Sequence, residues 1–414
     1  MSFSKMEGPR QEADIHWHSE GHSDGWKDIR EIAAMFAAEE LSHIKTAAPT
    51  EHDNLLSLET FLETVKPLRP DLRVLAGAEL TSACDLPVVG HYTLHTLVYF
   101  ETEHGFDVAA FTPAQLDDFL GQVAEDYLPI MNRCVAAVNH KRLEMVRRKA
   151  DDFFFEGRGV LTRDDIISAA TQRLSRHVSA DRMINLSNTA VAVNDTDVMQ
   201  VVFQNMHHAR PDVTAQTQGD LRPYFRRSGQ CYSSPDPDHA FRTEDLISEL
   251  YEASMTSRIR ARTGPAHPAN YVRVIARALA RAGGSCARHV YDAEHVANAS
   301  RLMADMIRRD HDGKRYSFIE ASIPGFTFSP CSGPDDPDYP VSPIDPRKRE
   351  GRSQAYAQAL DNFFTTLQRN YWQSFARTEH LGISGGSDAH FRADTSQLGS
   401  AGYPDSMVGS IFCR

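Results

Sequence analysis

Cysteine is scarce: six in 414 residues, at 84, 134, 231, 286, 331 and 413, and no two stand in a Cys-x-x-Cys spacing. That excludes a zinc ribbon and a disulfide framework, and leads to the expectation of a reducing, cytoplasmic setting. No run approaches the ~20 apolar residues needed to span a bilayer, so no membrane-inserted segment is expected. The opening MSFSKMEGPRQEAD is polar and lacks the apolar stretch of a signal peptide. Basic charge is also short: 44 Lys and Arg against 56 Asp and Glu leave a net charge of −12. That disfavours broad, nonspecific nucleic-acid binding, although a local basic pocket is compatible with it. There is no internal repeat. What is present fits a soluble globular chain with a hydrophobic fraction of 41%. Its length exceeds one typical core, so either one large barrel with an insertion or two domains is expected.

Short strand-like runs alternate with helical ones from residue 14 to about 110, which indicates an α/β fold with mostly parallel strands. Strands are expected at Ala13–Trp17, Arg73–Leu80 and Thr96–Phe100, and helices at Trp26–Leu41 and Leu55–Val65. A long helical stretch follows at Thr112–Asp152, with Leu116, Phe119, Leu120 and Val123 at helical spacing. Residues 163–260 continue mostly helical, broken by the Pro/Gly/Ser/Asp-rich loop Arg210–Pro237. Alternation resumes near 270, with helices at Tyr271–Ala282 and Ala293–Arg309 and strands at Cys286–Tyr291 and Tyr316–Ala321. A proline-rich loop, Thr327–Arg352, precedes a helix at Gln354–Thr378. The simplest organisation is a barrel over residues 1–110 and 269–414, interrupted by a largely helical insertion over 111–268.

Two elements near the ends of the chain carry the most chemistry. In Asp14-Ile15-His16-Trp17-His18, an extended strand would present both imidazoles to one face, because side chains alternate with a period of two. Gly385-Gly386-Ser387-Asp388-Ala389-His390 repeats the arrangement with Asp388 and His390. Glu79 ends the hydrophobic run Val74–Ala78, where an uncompensated carboxylate would be costly.

These runs resemble the motifs of the PHP (polymerase and histidinol phosphatase) superfamily. DIHWHSEGHSDG is similar to its first motif, and Thr50-Glu51-His52-Asp53-Asn54 to its second, with Glu51 where Asp is usual. Gly77-Ala78-Glu79 resembles the third, and His95-Thr96-Leu97-Val98-Tyr99 a strand that carries a further histidine. Gly283–His289 resembles the element ending in Ala-His-Pro, with Val290 in place of Pro. Tyr316–Ala321 resembles the next strand, and GGSDAH the last motif. The motifs keep the family order over about 14–100 and 270–400. The resemblance implies a distorted, seven-stranded TIM-like (β/α) barrel and a cluster of two or three divalent ions.

By the same resemblance, His16, His18, Glu79 and Asp388 would hold a first metal. Glu79 would bridge to a second, held also by His95 and His289, and Asp24, His52 and His390 would hold a third. His22 and His91 stand close enough to substitute for Asp24 and His95. A His/Asp/Glu donor set without Cys suits Mn²⁺, Fe²⁺, Zn²⁺ or Mg²⁺. Such ions acidify a water and neutralise phosphoryl charge, so Glu79 and Asp388 are the expected catalytic carboxylates around a metal-bridging hydroxide. His104, His140, His207, His208, His239 and His267 are read as ordinary histidines.

Arg133, Arg176 and His177, in the insertion, are the candidate substrate contacts, since planar guanidinium donors suit a phosphate. Arg222, Arg226 and Arg227 around Tyr224 and Phe225 could stack a base, and Arg347–Arg349 form a further basic run. The expected activity is hydrolysis of a small phosphomonoester, nucleotide or short oligonucleotide, releasing inorganic phosphate, with no obligate protein partner. Two alternatives stand beside it: a metal-dependent C–N hydrolase, disfavoured because no Lys occupies a motif position, and a metal-bound regulatory module without turnover.

Overall fold

The computed structural model describes residues 12–19, 22, 27–52, 55, 57–111, 115, 119, 242–282, 293–309, 316–322, 366–388 and 404–412. These form a mixed α/β structure around a curled, half-barrel sheet. Strands β1 (Ala13–Asp14), β2 (Thr46–Ala47) and β3 (Arg73–Val74) are parallel neighbours in that order. Strands β4 (Gly77–Leu86), β5 (Gly90–Glu101) and β6 (Arg260–Pro265) form an antiparallel ladder. Strands β7 (Phe318–Ser322) and β8 (Gly382–Gly385) are a parallel pair.

The antiparallel ladder departs from the mostly parallel sheet expected from sequence. Residues 73–86 are not one strand; β4 and β5 are the arms of a hairpin. Its turn needs backbone in the left-handed region at Val88 (φ 67°) and Gly90 (φ 88°), and a glycine takes up that conformation at little cost. The second departure is β6, which begins at the end of the stretch read as helical and runs through residues given no strand. Arg260–Pro265 has little strand propensity. Tertiary pairing overrides it: β6 bonds along β5, and Arg262 Nε donates to Glu101 at 2.7 Å.

Single backbone hydrogen bonds link the three ladders. Glu79 N donates to Glu51 O (3.1 Å), Phe100 N to Ala76 O (3.1 Å), Ser317 N to Thr263 O (2.7 Å) and Asp388 N to His16 O (2.7 Å). The last of these lays the end of β8 beside the start of the chain.

Helices cover the outer face. Helix α1 (Ile29–Ala37) is capped by Asp28, whose side chain accepts from Arg30 N, satisfying one of the unpaired amides of the first turn. It packs Ile29, Ile32 and Phe36 against Phe61 of α2 (Ser57–Val65) and against Trp17. Helices α3 (Thr243–Thr256), α4 (Pro268–Ala282) and α5 (Ala293–Arg308) follow, and residues 366–379 are helical. A second core joins Val272, Ile275, Met303, Phe318 and Trp372. Its buried polar atoms are satisfied in a chain: Trp372 Nε1 donates to Gln368 Oε1, Gln368 Nε2 to Ser300 Oγ, and Ser300 Oγ to Val296 O. The stretch Gly283–Val290, including the strand expected at Cys286, lies outside the described residues, as does nearly all of 112–241. Among the described residues, no helix is long and apolar enough to cross a membrane.

Gly264 sits where β6 meets β7. A Cβ there would fall on the Phe318 ring and 2.7 Å from the Phe318 carbonyl oxygen, so backbone rather than a mobile side chain would have to move. Gly264→Ala is therefore expected to lower stability by about 1–3 kcal/mol, read as a reduced urea midpoint. An unchanged midpoint would refute this packing. Cys84, buried in β4, has its thiol pushed up to about 12 by loss of solvation. At pH 8 it should resist iodoacetamide in the native protein and react after denaturation, as mapped by peptide mass spectrometry.

Candidate metal centre

Local structure explains how the first motif presents its imidazoles. The backbone of 15–18 is extended beside 48–50, with Ala48 N donating to Asp14 O and Thr50 N to Trp17 O, both at 3.1 Å. Alternation then sends Trp17 into the apolar core with Phe36 and Phe61 and turns His16 and His18 the opposite way, their ring centroids 5.3 Å apart. Glu79 lies in β4 opposite Leu97, and His95 on β5 is its diagonal neighbour on the same face. His52 forms a single bridge to Glu79. Asp388 follows β8, and His267 occupies the junction between β6 and α4.

All these side chains converge on Glu79. Its Oε2 lies 3.4 Å from His16 Nε2, 3.2 Å from His18 Nε2 and 3.2 Å from His52 Nδ1. Its Oε1 lies 2.8 Å from His95 Nδ1 and 3.7 Å from His267 Nε2. Asp388 Oδ1 is 3.5 Å from His18 Nε2 and 3.7 Å from His16 Nε2, while Oδ2 is 3.4 Å from His267 Nε2. Three overlapping sets each keep one donor atom per residue within 4.8 Å of the others: His16, Glu79 and His267; His16, His18 and Asp388; His18, His52 and Glu79.

These separations fit a metal better than hydrogen bonds. Bonds of about 2.0–2.2 Å arranged tetrahedrally place donor atoms about 3.3–3.6 Å apart. Most of the distances above fall in or near that window and beyond good hydrogen-bonding range. His16 Nε2 is buried and has no hydrogen-bond partner among the described residues, an arrangement that a structure tolerates only for a reason. His16, His18, Glu79, His52 and Asp388 therefore fit a metal site.

The charges of the cluster compensate one another. Burial opposes charge on Glu79, yet His95, His52 and His16 outweigh it and hold the carboxyl well below the usual range. Burial likewise opposes charge on His16, and Glu320 and Glu79 outweigh it, holding the imidazole well above its ordinary value. Burial pushes the Glu51 carboxyl up, against the opposing pull of His18 and of hydrogen bonds from Ser19. Ser19 N donates to Glu51 Oε2 at 3.0 Å, and Ser19 Oγ bonds to both Glu51 Oε1 and His22 Nδ1. Tyr271, buried behind His95 and accepting from its amide at 2.8 Å, has its phenol pushed well up by burial.

Of the residues expected from sequence, the structure brings together His16, His18, His52, Glu79, His95 and Asp388. Asp24, His289 and His390, and the substrate candidates Arg133, Arg176 and His177, lie outside the described residues. His104 is exposed beside Glu103. Two residues were missed. His267, read as an ordinary histidine, stands in the cluster; the signal was the intact Ala266-His267-Pro268, a better match to Ala-His-Pro than the run ending at Val290. Glu320 accepts from His16 Nδ1 at 2.7 Å and from His267 N at 2.9 Å; its run, Tyr316–Ala321, is legible as a strand but assigns the carboxylate no role. His267 and Asp388 both adopt left-handed backbone, φ 47° and 48°, a conformation concentrated at functional positions.

A close approach requires glycine at position 386. At Gly386 a Cβ would collide with His16 Cβ and lie 2.6 Å from its Cα. This glycine lets β8 close against the first motif, where Ser387 N also donates to Asp14 Oδ1 at 2.8 Å.

No protein-family model matches this chain, and no curated protein matches it. Among solved structures, it is similar to a candidate metal-dependent phosphoesterase from Bifidobacterium adolescentis, with a TM-score of 0.46 and 15% identity over 98% of this chain and 97% of that one. It is also similar to an amidohydrolase from Chromobacterium violaceum, determined with bound sulfate and no metal, with a TM-score of 0.43 and 15% identity over 94% and 89% of the two chains. Likeness at this level leaves the chemistry to be read from the cluster itself.

Gly386→Ala should displace Asp388 from His16 and His18 without altering any donor. Elemental analysis after dialysis should find fewer ions per chain than in the unaltered protein, with circular dichroism unchanged. An unaltered metal content would show that this contact does not position the site.

Proposed function

We propose that this chain is a metal-dependent phosphoesterase, acting on a small phosphomonoester, nucleotide or short oligonucleotide, with a distorted (β/α) barrel of the PHP kind as its scaffold. The observation that carries the reading is Glu79, a buried carboxylate whose two oxygens face separate groups of imidazoles. One faces His16, His18 and His52, and the other faces His95 and His267. Asp388 is split in the same way between His16/His18 and His267. Two carboxylates shared between donor sets suit a centre of more than one ion, with nitrogen and oxygen donors of the kind that Mn²⁺, Fe²⁺ and Zn²⁺ accept. The barrel reading is supported by the hydrogen bonds that link successive ladders and by Asp388 N donating to His16 O.

When bound, such ions supply an acidified water and neutralise charge on a phosphoryl group. The chain's own residues fix the geometry. His16, His18 and Glu79 are sealed from solvent, whereas the side chains of Asp388, His52 and His95 are 24%, 16% and 12% exposed. Substrate therefore reaches the centre from the Asp388/His52/His95 side. His16, His18 and Glu79 form the buried floor, and Glu320 holds His16 from behind.

A C–N hydrolase is the alternative. Metal barrels of that kind use a carboxylated lysine as the bridge between ions. Among the described residues, the lysines are engaged elsewhere: Lys27 with Glu31, Lys45 with Glu12, and Lys66 with Leu72 O. Glu79, whose two oxygens face separate groups of imidazoles, would serve as the bridge instead, which favours the phosphoesterase.

Purified protein supplied with Mn²⁺ should release p-nitrophenol from p-nitrophenyl phosphate, and His16→Ala and Asp388→Ala should each lower the rate by more than about 100-fold. Activity that survives both changes would sink the proposal. Turnover of N-acyl amides with no turnover of phosphate esters would favour the alternative.

A further inference from the structure

Glu320 belongs to none of the three donor sets, yet it is among the most deeply buried charged groups of the described chain, 1% exposed. Burial of a carboxylate is expensive unless it is fully compensated. Its partners are two cluster residues from distant parts of the sequence. Oε1 accepts from His16 Nδ1 at 2.7 Å, across 304 positions. Oε2 accepts from the backbone amide of His267 at 2.9 Å, across 53 positions, and lies 3.2 Å from His267 Nδ1. The two imidazoles stack beside each other, with centroids 4.8 Å apart and planes 24° apart.

We infer that Glu320 is a positioning residue that fixes the tautomer of His16 and His267 together. This rests on the metal-centre reading above. An imidazole that donates from Nδ1 to a carboxylate carries its lone pair on Nε2, and Nε2 is the atom that both residues turn toward Glu79 and Asp388. One carboxylate thereby aims two donors. The left-handed backbone at His267 (φ 47°) fits this role, because the residue's amide and ring nitrogen both reach the same oxygen.

Carboxylate chemistry is required, and not merely the shape. A carboxylate accepts on both oxygens. An amide accepts on one side only and donates on the other, so Gln would set N–H against N–H at either His16 or His267. Glu320→Gln keeps the volume and breaks one arm, whereas Glu320→Asp keeps both acceptors and withdraws them by one methylene.

The test uses the full-length protein loaded with Zn²⁺, with imidazole ¹⁵N signals recorded by long-range ¹H–¹⁵N correlation. The unaltered protein should show His16 and His267 as Nδ1–H imidazoles with metal-bound Nε2. In Glu320→Gln at least one of the two patterns should be lost, and chelator competition should show Zn²⁺ affinity lowered by about 10–100-fold. Glu320→Asp should fall between the two. Should Glu320→Gln fail to fold by circular dichroism, the Asp variant decides alone. The inference is overturned if the folded variants keep the original ¹⁵N pattern and affinity, or if Asp binds no better than Gln. Failure of the unaltered protein to bind Zn²⁺ would instead refute the metal-centre reading, so the two failures are distinguishable.

Discussion

A single buried negative charge organises this site. Glu79 lies in the middle of a sheet, sealed from water and flanked by apolar strand residues. A carboxylate cannot stay ionised there without compensation. Five imidazoles from four separate segments surround it, so the chain must fold back repeatedly to satisfy one residue. Several of the residues that carry them are anchored in turn. His16 and His267 hang from Glu320, and His95 has its amide on the Tyr271 hydroxyl. The Glu51 beside His52 takes two hydrogen bonds from Ser19, next to His18. An outer set of carboxylates and hydroxyls thus backs the inner ring, with apolar cores on either side.

The rigid part of the molecule and the chemical part are therefore the same strands read on opposite faces. Trp17 fills the core under α1 and α2 while its two neighbours face the cluster. On β7 the division runs along the strand instead: Phe318 packs against Tyr99 and crowds Gly264, and Glu320, two residues on and on the same face, reaches under His16. Period-two alternation lets a short strand serve both purposes at once.

What the sequence discloses depends on how local each signal is. His16 and His18 are readable because two residues on one extended strand suffice to place them together. Glu79 is readable because a carboxylate at the end of an apolar run demands compensation. The hairpin was obscured, since its turn rests on backbone angles at Val88 and Gly90 rather than on a strong turn dipeptide. His267 was hidden by its surroundings: β6 has the composition of a loop and becomes a strand only by pairing with β5. Glu320 is the extreme case. Its meaning lies wholly in contacts with residues 304 and 53 positions away, and one sequence contains no trace of them.

The close seating of Gly386 on His16 has a consequence for biosynthesis. A chain being made from its N-terminus exposes His16, His18, His52, Glu79 and His95 long before Asp388 leaves the ribosome. The strand carrying Asp388 has its place only beside the first motif, where Asp14 and His16 receive the amides of Ser387 and Asp388. The nascent polypeptide thus carries most of the donors but lacks the piece that closes them. The centre as described cannot be complete until β8 and Asp388 have been made, and a product truncated before β8 would keep these five donors without the carboxylate that closes them.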